Sequence, residues 1–243
     1  MANPSELLQA TSDRVDVWFV PLQSPQQNYE QLLQALSGDE RKRAARFYFD
    51  VHRKRFVIGR AMLRTILSRY LGIAPAEIRF DYGAHGKPIL AGADLARSLS
   101  FNASGSNDLA VYGVTRDREI GIDVEWMEPD RSCDRIVERF YAEGEKQAYR
   151  EVGAAERRTA FFQSWTRKEA YIKAIGDGLS RPLNSFELSL APGTPPCVIR
   201  DDRDPDAASR WTMRDLQPGQ PYAGALVISG SNWELQERHW GDE

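Results

Sequence analysis

Asp123 and Glu125 stand two positions apart in the run GIDVEW, residues 121–126, which otherwise has the make-up of a buried strand. Side chains at i and i+2 of a strand share a face, with Cα atoms about 6.5–7 Å apart, so the two negative charges look out together. That arrangement costs energy unless a positive body lies between them. A third carboxylate, Glu169, belongs to FFQSWTRKEAYIKAIGDGL, 44 residues past Glu125. On a helix Phe161, Phe162, Trp165 and Ile172 fall within about 100° of one another as an inward stripe, and Glu169 falls inside it. A carboxylate there is expensive unless it is paired or coordinated. Three carboxylates without Cys or His are hard oxygen ligands that suit Mg2+ or Mn2+ and leave positions for water and a phosphate. Lys173, one turn beyond Glu169, would face the same phosphate. Phosphoryl-type transfer needs that combination, because its transition state spreads negative charge over phosphate oxygens. Plainer readings stay open: a solvated strand face for Asp123 and Glu125, and a surface ion pair between Glu169 and Lys173 worth about 0.2–0.5 kcal/mol.

A second charged feature is basic. From Arg41 to Arg69 there are ten Lys and Arg residues against one acid, Asp50, on a chain of net charge −3. A solvated helical face, a phosphate clamp and a nucleic-acid-binding patch all fit such a run. The nucleic-acid reading lacks an overall basic domain, although Phe47, Tyr48 and Phe49 supply aromatic surface. Cys133 and Cys197 are far apart and lack zinc-ligand spacing, so neither a disulfide framework nor a Cys-based metal site is indicated. His52, His85 and His239 are too scattered to form a metal or proton-relay set. The N-terminus MANPSELLQATSDR has no signal pattern, and no run approaches the ~20 apolar residues of a membrane helix. A cytoplasmic protein without membrane attachment is expected.

The elements that must position these groups follow from periodicity. VDVWFVPL (15–22) reads as a first strand, and residues 28–70 read as helical with a break at LSGDE. Strand-like runs from 99 to 126, joined by a polar turn at Thr115–Arg118, read as an antiparallel hairpin. A second helical region spans 132–175, punctuated near Gly144 and Gly153, and SRWTMRDL and AGALVIS read as closing strands. The expected class is α+β, in two halves covering 1–117 and 118–243. AMLRTIL from Ala61 and AYIKAI from Ala170 share an alanine, an apolar residue and then a base, Arg64 or Lys173. This echo leaves duplication and chance equally open.

The motifs converge on a family. GIDVE followed by WTRKEAYIKAIGDGL, in the pattern W-x-x-K-E-[AS]-x-x-K-x-x-G-x-G, resembles the surfactin-type 4′-phosphopantetheinyl transferases. RFVIGRAMLR, GKP at 86–88, FNAS at 101–104 and RFYAEGE at 139–145 follow the same order, so the resemblance covers about residues 41–186. It implies two similar α+β halves related by a pseudo-twofold axis, with a ligand cleft between them, in a monomer. It also implies transfer of the 4′-phosphopantetheine arm of coenzyme A to a serine of acyl or peptidyl carrier proteins, releasing adenosine 3′,5′-bisphosphate. On this resemblance Asp123, Glu125 and Glu169 hold Mg2+, Lys173 neutralises the diphosphate, and Glu169 or Glu145 takes the serine proton. Arg55 meets the 3′-phosphate, Lys87 and Pro88 flank the adenine, and Ser104 touches the nucleotide. The carrier is expected on the second half, near Phe140. One position departs: Gly105 stands where the family has a histidine on the 3′-phosphate. A lost charge-assisted hydrogen bond of about 1.5–3 kcal/mol implies roughly ten- to a hundredfold weaker coenzyme binding, or tolerance of dephospho-coenzyme A. The rival readings are a catalytically impaired nucleotide-binding relative and a nucleic-acid-binding module built on residues 41–69.

Overall fold

Arg14–Pro21 is a nearly continuous apolar run, RVDVWFVP, and nearly every side chain of this first strand is buried. The computed structural model describes residues 7–23, 28–83, 86–92, 99–191 and 193–241; the N-terminal residues 1–6 and His85 lie outside them. The chain divides into two compact units, Met1–Gly83 with Pro88–Asp117 and Glu234–Glu243, and Ala84–Lys87 with Arg118–Trp233.

The first unit carries β1 (Arg14–Pro21), α1 (Tyr29–Ala35), α2 (Gly38–Ala44), α3 (Asp50–Leu71), β2 (Phe80–Tyr82), β3 (Pro88–Leu90), β4 (Ser100–Ser106), β5 (Leu109–Thr115) and the late strand β11 (Glu234–His239). Its sheet runs β11-β1-β5-β4, and β2 pairs with β3 as a separate ribbon. Met62, Leu63, Ile66 and Leu67 of α3 pack with Trp18, Val20, Phe101 and Tyr112 of the sheet. The helix stops at Gly72, whose left-handed φ of 68° suits a residue without Cβ.

The second unit carries β6 (Ile120–Trp126), α4 (Cys133–Phe140), α5 (Glu143–Glu151), α6 (Arg157–Ile175), β7 (Phe186–Leu188), β8 (Val198–Asp201), β9 (Trp211–Leu216) and β10 (Tyr222–Ser229). Its antiparallel sheet runs β6-β10-β9, and α6 lies across β6 and β10. Ala170, Tyr171 and Ala174 of α6 pack against Met213, Ala225 and Val227 of this sheet. Phe161 and Phe162 pack with Val137 and Tyr149 of α4 and α5.

Two expectations are corrected. The hairpin is β4–β5, closed by Asn107 and Asp108 with Asn107 at φ 50°, and β6 pairs instead with β10. Thr115–Arg118 joins two sheets; its polar residues resemble a hairpin turn, but the two-residue turn is Asn107–Asp108, starting eight residues before Thr115, where asparagine tolerates the positive φ such turns use. The second helical region is broken where expected, at 141–142 just before Gly144 and at 152–156 around Gly153. Gly144 itself sits in the first turn of α5, where a Cβ would collide with the Glu187 carboxylate. Finally, ELQERH forms β11, parallel to β1, despite its charge.

Candidate functional site

Gly121 determines how closely helix and strand meet. A Cβ on it would overlap the Ala170 carbonyl and the Ala174 amide, and would lie 2.9 Å from Ala174 Cα. Strand alternation puts Asp123 and Glu125 on the face of Gly121, so both carboxylates look toward α6. Asp123 is buried, and its Oδ1 accepts a 2.7 Å bond from Lys173 Nζ, which also donates to the Ile122 carbonyl at 3.1 Å. The structure thus pairs Lys173 with the strand and not with Glu169.

Among the described residues Glu169 forms neither a hydrogen bond nor an ion pair. It is half-buried, and burial pushes its carboxyl up to about 7; the Asp123 charge adds to the rise, Lys173 opposes it and Glu125 adds a little more. The three carboxylates therefore feel one another across the helix–strand contact. They are not gathered into a ligand shell, for among the described residues no three His, Cys, Asp or Glu side chains are grouped to hold a metal. The donor chemistry fits a hard cation, since all three contribute carboxylate oxygens whose mutual repulsion a divalent ion would relieve.

The inward-stripe reading of α6 needs correcting. The helix is buried on most sides, with Arg167 and Lys168 interior; Trp165, Glu169 and Lys173, at i, i+4 and i+8, are the partly open row. An apolar stripe marks the inner face only when one side meets the core, and here both the sheet and α4, α5 and β7 cover the helix.

Glu145 lies in another setting. Its carboxylate accepts from Ala142 N at 2.9 Å, Leu188 N at 3.0 Å and Lys168 Nζ at 2.8 Å, and both charged side chains are essentially inaccessible. Burial raises the Glu145 carboxyl and lowers the Lys168 ammonium, while each partner pulls the other back. Lys168 also donates to the carbonyls of Leu183 and Phe186 at 2.8 and 3.1 Å, with its Nζ 4.1 Å from the Phe186 ring centroid. The adjacent Arg167 grips Asp215 of β9 bidentately and the Ser189 carbonyl. Sequence reasoning missed both as struts, because a basic residue beside Glu169 reads as solvent-facing; the usable signal was Gly121, a glycine inside a strand.

Lys87, expected beside an adenine, is engaged locally. Its Nζ donates to the Ile120 carbonyl at 3.0 Å and the Lys173 carbonyl at 2.6 Å, tying the start of β6 to the end of α6. Burial lowers its ammonium to about 8, against the pull of Glu119 and with a small push from Lys173. Arg55, Pro88 and Ser104 belong to the first unit. Arg55 holds the β4–β5 turn through Asp108 Oδ1 at 2.8 Å and Asn107 Oδ1 at 2.6 Å, Pro88 opens β3, and Ser104 lies on β4 beside Gly105. A Cβ at Gly105 would meet only ordinary contacts, Leu109 O at 3.5 Å being the nearest.

The basic run is partly consumed inside the fold. Arg64 is buried and donates to Glu40 at 2.6 Å, and Arg60 pairs with the same carboxylate. That leaves less free charge than the ten basic residues suggest, and the nucleic-acid reading weakens accordingly. Among the described residues no helix is long and apolar enough to cross a membrane.

Residues 119–227 match the 4′-phosphopantetheinyl transferase superfamily, and residues 22–115 match the family described as 4′-phosphopantetheinyl transferase, N-terminal. The chain is 38% identical over 229 residues to the 4′-phosphopantetheinyl transferase HetI of Nostoc sp., covering 94% of this chain and 93% of that protein. It is 32% identical over 181 residues to a 4′-phosphopantetheinyl transferase of Bacillus subtilis, covering 70% and 78%. With the 4′-phosphopantetheinyl transferase Sfp of Bacillus subtilis it shares 30% identity over 165 residues, covering 68% and 71%.

Proposed function

Because the chain belongs to the surfactin-type branch of the 4′-phosphopantetheinyl transferase superfamily, we propose that it moves the 4′-phosphopantetheine arm of coenzyme A onto a serine of apo acyl or peptidyl carrier proteins. The observation that carries this reading is Glu169, a half-buried carboxyl without a hydrogen-bonding partner among the described residues, facing Asp123, Glu125 and Lys173.

The chain's own groups divide the work. Asp123, Glu125 and Glu169 would hold Mg2+ or Mn2+, which supplies charge neutralisation to the diphosphate when bound. Lys173, its side chain about a quarter exposed beside Asp123, would neutralise the phosphate oxygens. The carrier serine oxygen bonds to the β-phosphorus, the phosphoanhydride bond breaks, and adenosine 3′,5′-bisphosphate leaves. The serine proton passes to Glu169, whose carboxyl burial raises to about 7 in the metal-free protein, so that it holds a proton more readily than an exposed glutamate does. Glu145 is a poorer base, because Ala142, Leu188 and Lys168 already occupy its oxygens. Its role in this reading is to hold Lys168, and through it the middle of α6.

Arg55, Pro88 and Ser104 are assigned to the nucleotide, with Lys87 holding the strand and helix ends together. Phe140, 42% exposed at the end of α4, is assigned to the carrier. The reading extends to a monomer acting in the cytoplasm. Incubation with coenzyme A, Mg2+ and an apo carrier should add one phosphopantetheine per carrier chain by intact-mass measurement, and EDTA should stop it. Retention of coenzyme A with no gain on several carriers would favour the impaired relative instead.

A further inference from the structure

Four arginines converge in the second unit where the protein supplies little counter-charge. Arg131, Arg135, Arg157 and Arg158 line a cavity of about 470 Å³, together with Tyr149 and Asp134. Among the described residues none of the four forms an ion pair, whereas Arg64, Arg167 and Arg181 are each held by a carboxylate. Arg157 donates instead to the carbonyls of Val152 and Arg150, at 3.1 and 3.2 Å, and Arg158 to that of Met127. The Nε of Arg158 is buried and makes no hydrogen bond. Arg131 lies over the Phe162 and Trp165 rings, 5.9 and 5.8 Å from their centroids, and Arg135 is exposed. The carboxylate in the lining, Asp134, already accepts a 2.8 Å bond from the Tyr149 hydroxyl.

The arginines are also placed against the local field. α6 opens with Arg157 and Arg158 directly after its N-cap, Glu156, whose side chain makes no capping bond, and it has no acid in its first turn. Cations at the positive end of a helix raise its energy, and four guanidiniums around one cavity repel one another. An anion in the cavity removes both penalties. Guanidinium forks match phosphate oxygens in geometry, and the volume suits a small ligand and not merely a single ion.

We propose that this cavity binds a small multivalent oxyanion of the phosphate-ester or polyphosphate class, at a site that contains none of Asp123, Glu125, Glu169 and Lys173. The inference does not depend on the transfer reaction. Calorimetric titration of the full chain with sodium tripolyphosphate in EDTA tests it, alongside Arg135→Glu, Arg158→Gln and Lys173→Ala. Saturable binding of one equivalent is expected, weakened at least tenfold in each arginine variant and by raised salt, and unchanged in Lys173→Ala. Arg135→Glu should leave the KM for coenzyme A unaltered. If Arg158→Gln fails to fold, as judged by circular dichroism, the exposed Arg135 decides alone. Binding kept in Arg135→Glu but lost in Lys173→Ala moves the anion to the carboxylates and overturns the proposal. So does the absence of saturable heat, whether or not Arg135→Glu raises the KM for an acidic carrier.

Discussion

The roles proposed for Glu169 pull its proton affinity in opposite directions: it would have to be ionised to ligate a cation or accept a proton, yet burial raises its carboxyl to about 7. Its folded value lies above the ordinary 4.5, so the stability tied to this group is fully present below pH 4.5 and is lost as pH rises toward 7. Without metal, the wild-type melting temperature should therefore fall over that window more steeply than that of Glu169→Gln. Added Mg2+ should raise it more at pH 8 than at pH 6. Transfer with saturating Mg2+ should follow the opposite course, with kcat/KM rising along an acidic limb that lies below pH 7 because the cation favours the ionised carboxylate, while Glu169→Gln is flat and lower by about 10²–10⁴-fold. A variant retaining the wild-type acidic limb would remove Glu169 from the base role. If position 105 faces the nucleotide as proposed, Gly105→His, whose Cβ would meet only ordinary contacts, should raise preference for coenzyme A over dephospho-coenzyme A by roughly ten- to a hundredfold. An unchanged donor ratio would show that position 105 does not meet the 3′-phosphate. The carboxylates were legible because like charges on one strand face, and an acid on a helix otherwise rich in apolar residues, are costly enough to need a reason. Lys168 was not: its burial comes from α5 and β7, which no local pattern encodes.

At the scale of elements, the site depends on one helix–strand contact. Gly121 admits the backbone of α6 at Ala170 and Ala174, and that approach brings Lys173 Nζ within 2.7 Å of Asp123. Gly121→Ala must push the two apart, because the obstructing atoms belong to backbone and not to a flexible side chain tip. Overpacking of this kind costs about 1–3 kcal/mol, and a displacement of about 1 Å at a reacting centre can cost about 10²-fold in rate. We expect Gly121→Ala to lose activity by more than its loss of stability explains, measured as kcat at a temperature well below its melting transition. Wild-type kcat in a folded Gly121→Ala protein would show that the helix can retreat without consequence. The periodic helices were readable from sequence, and so was a strand carrying Asp123 and Glu125. Its partner was not, because turn-like residues at Thr115–Arg118 mimic a hairpin, while the true neighbour, β10, lies about a hundred residues away. The orientation of α6 was misread for a related reason, since burial on several sides erases the stripe that normally reports the inner face.

Across the whole molecule, the chain does not divide as two consecutive halves: after completing the second unit it returns to the first, where Glu234–His239 pairs parallel to Arg14–Phe19. That strand was illegible because ELQERH is charged and lacks apolar alternation, and its pairing with β1 bridges more than two hundred residues of sequence. Its contribution is nevertheless concrete. Arg238 Nε donates to Asp16 at 3.1 Å, and Asp16 is almost fully buried; Trp240 packs beside Trp18 with ring centroids 6.0 Å apart. Truncation after Trp233 would expose the β1 edge and strip Asp16 of a cationic partner, leaving Tyr70 and Arg14. Breaking one side of a buried pair typically costs about 3–5 kcal/mol. Hydrogen exchange should therefore show amides of Val15–Val20 losing protection by several orders of magnitude, while those of β6 and β10, whose partners lie wholly within the second unit, keep theirs. The conservative variant Arg238→Met separates the two contributions, since it removes the charge and preserves the strand. If Arg238→Met reproduces most of the loss, the ion pair dominates; if protection falls only on truncation, the β1 edge bonds and Trp240 do. Undiminished protection of β1 in the truncated chain would mean that β11 covers the sheet without stabilising it.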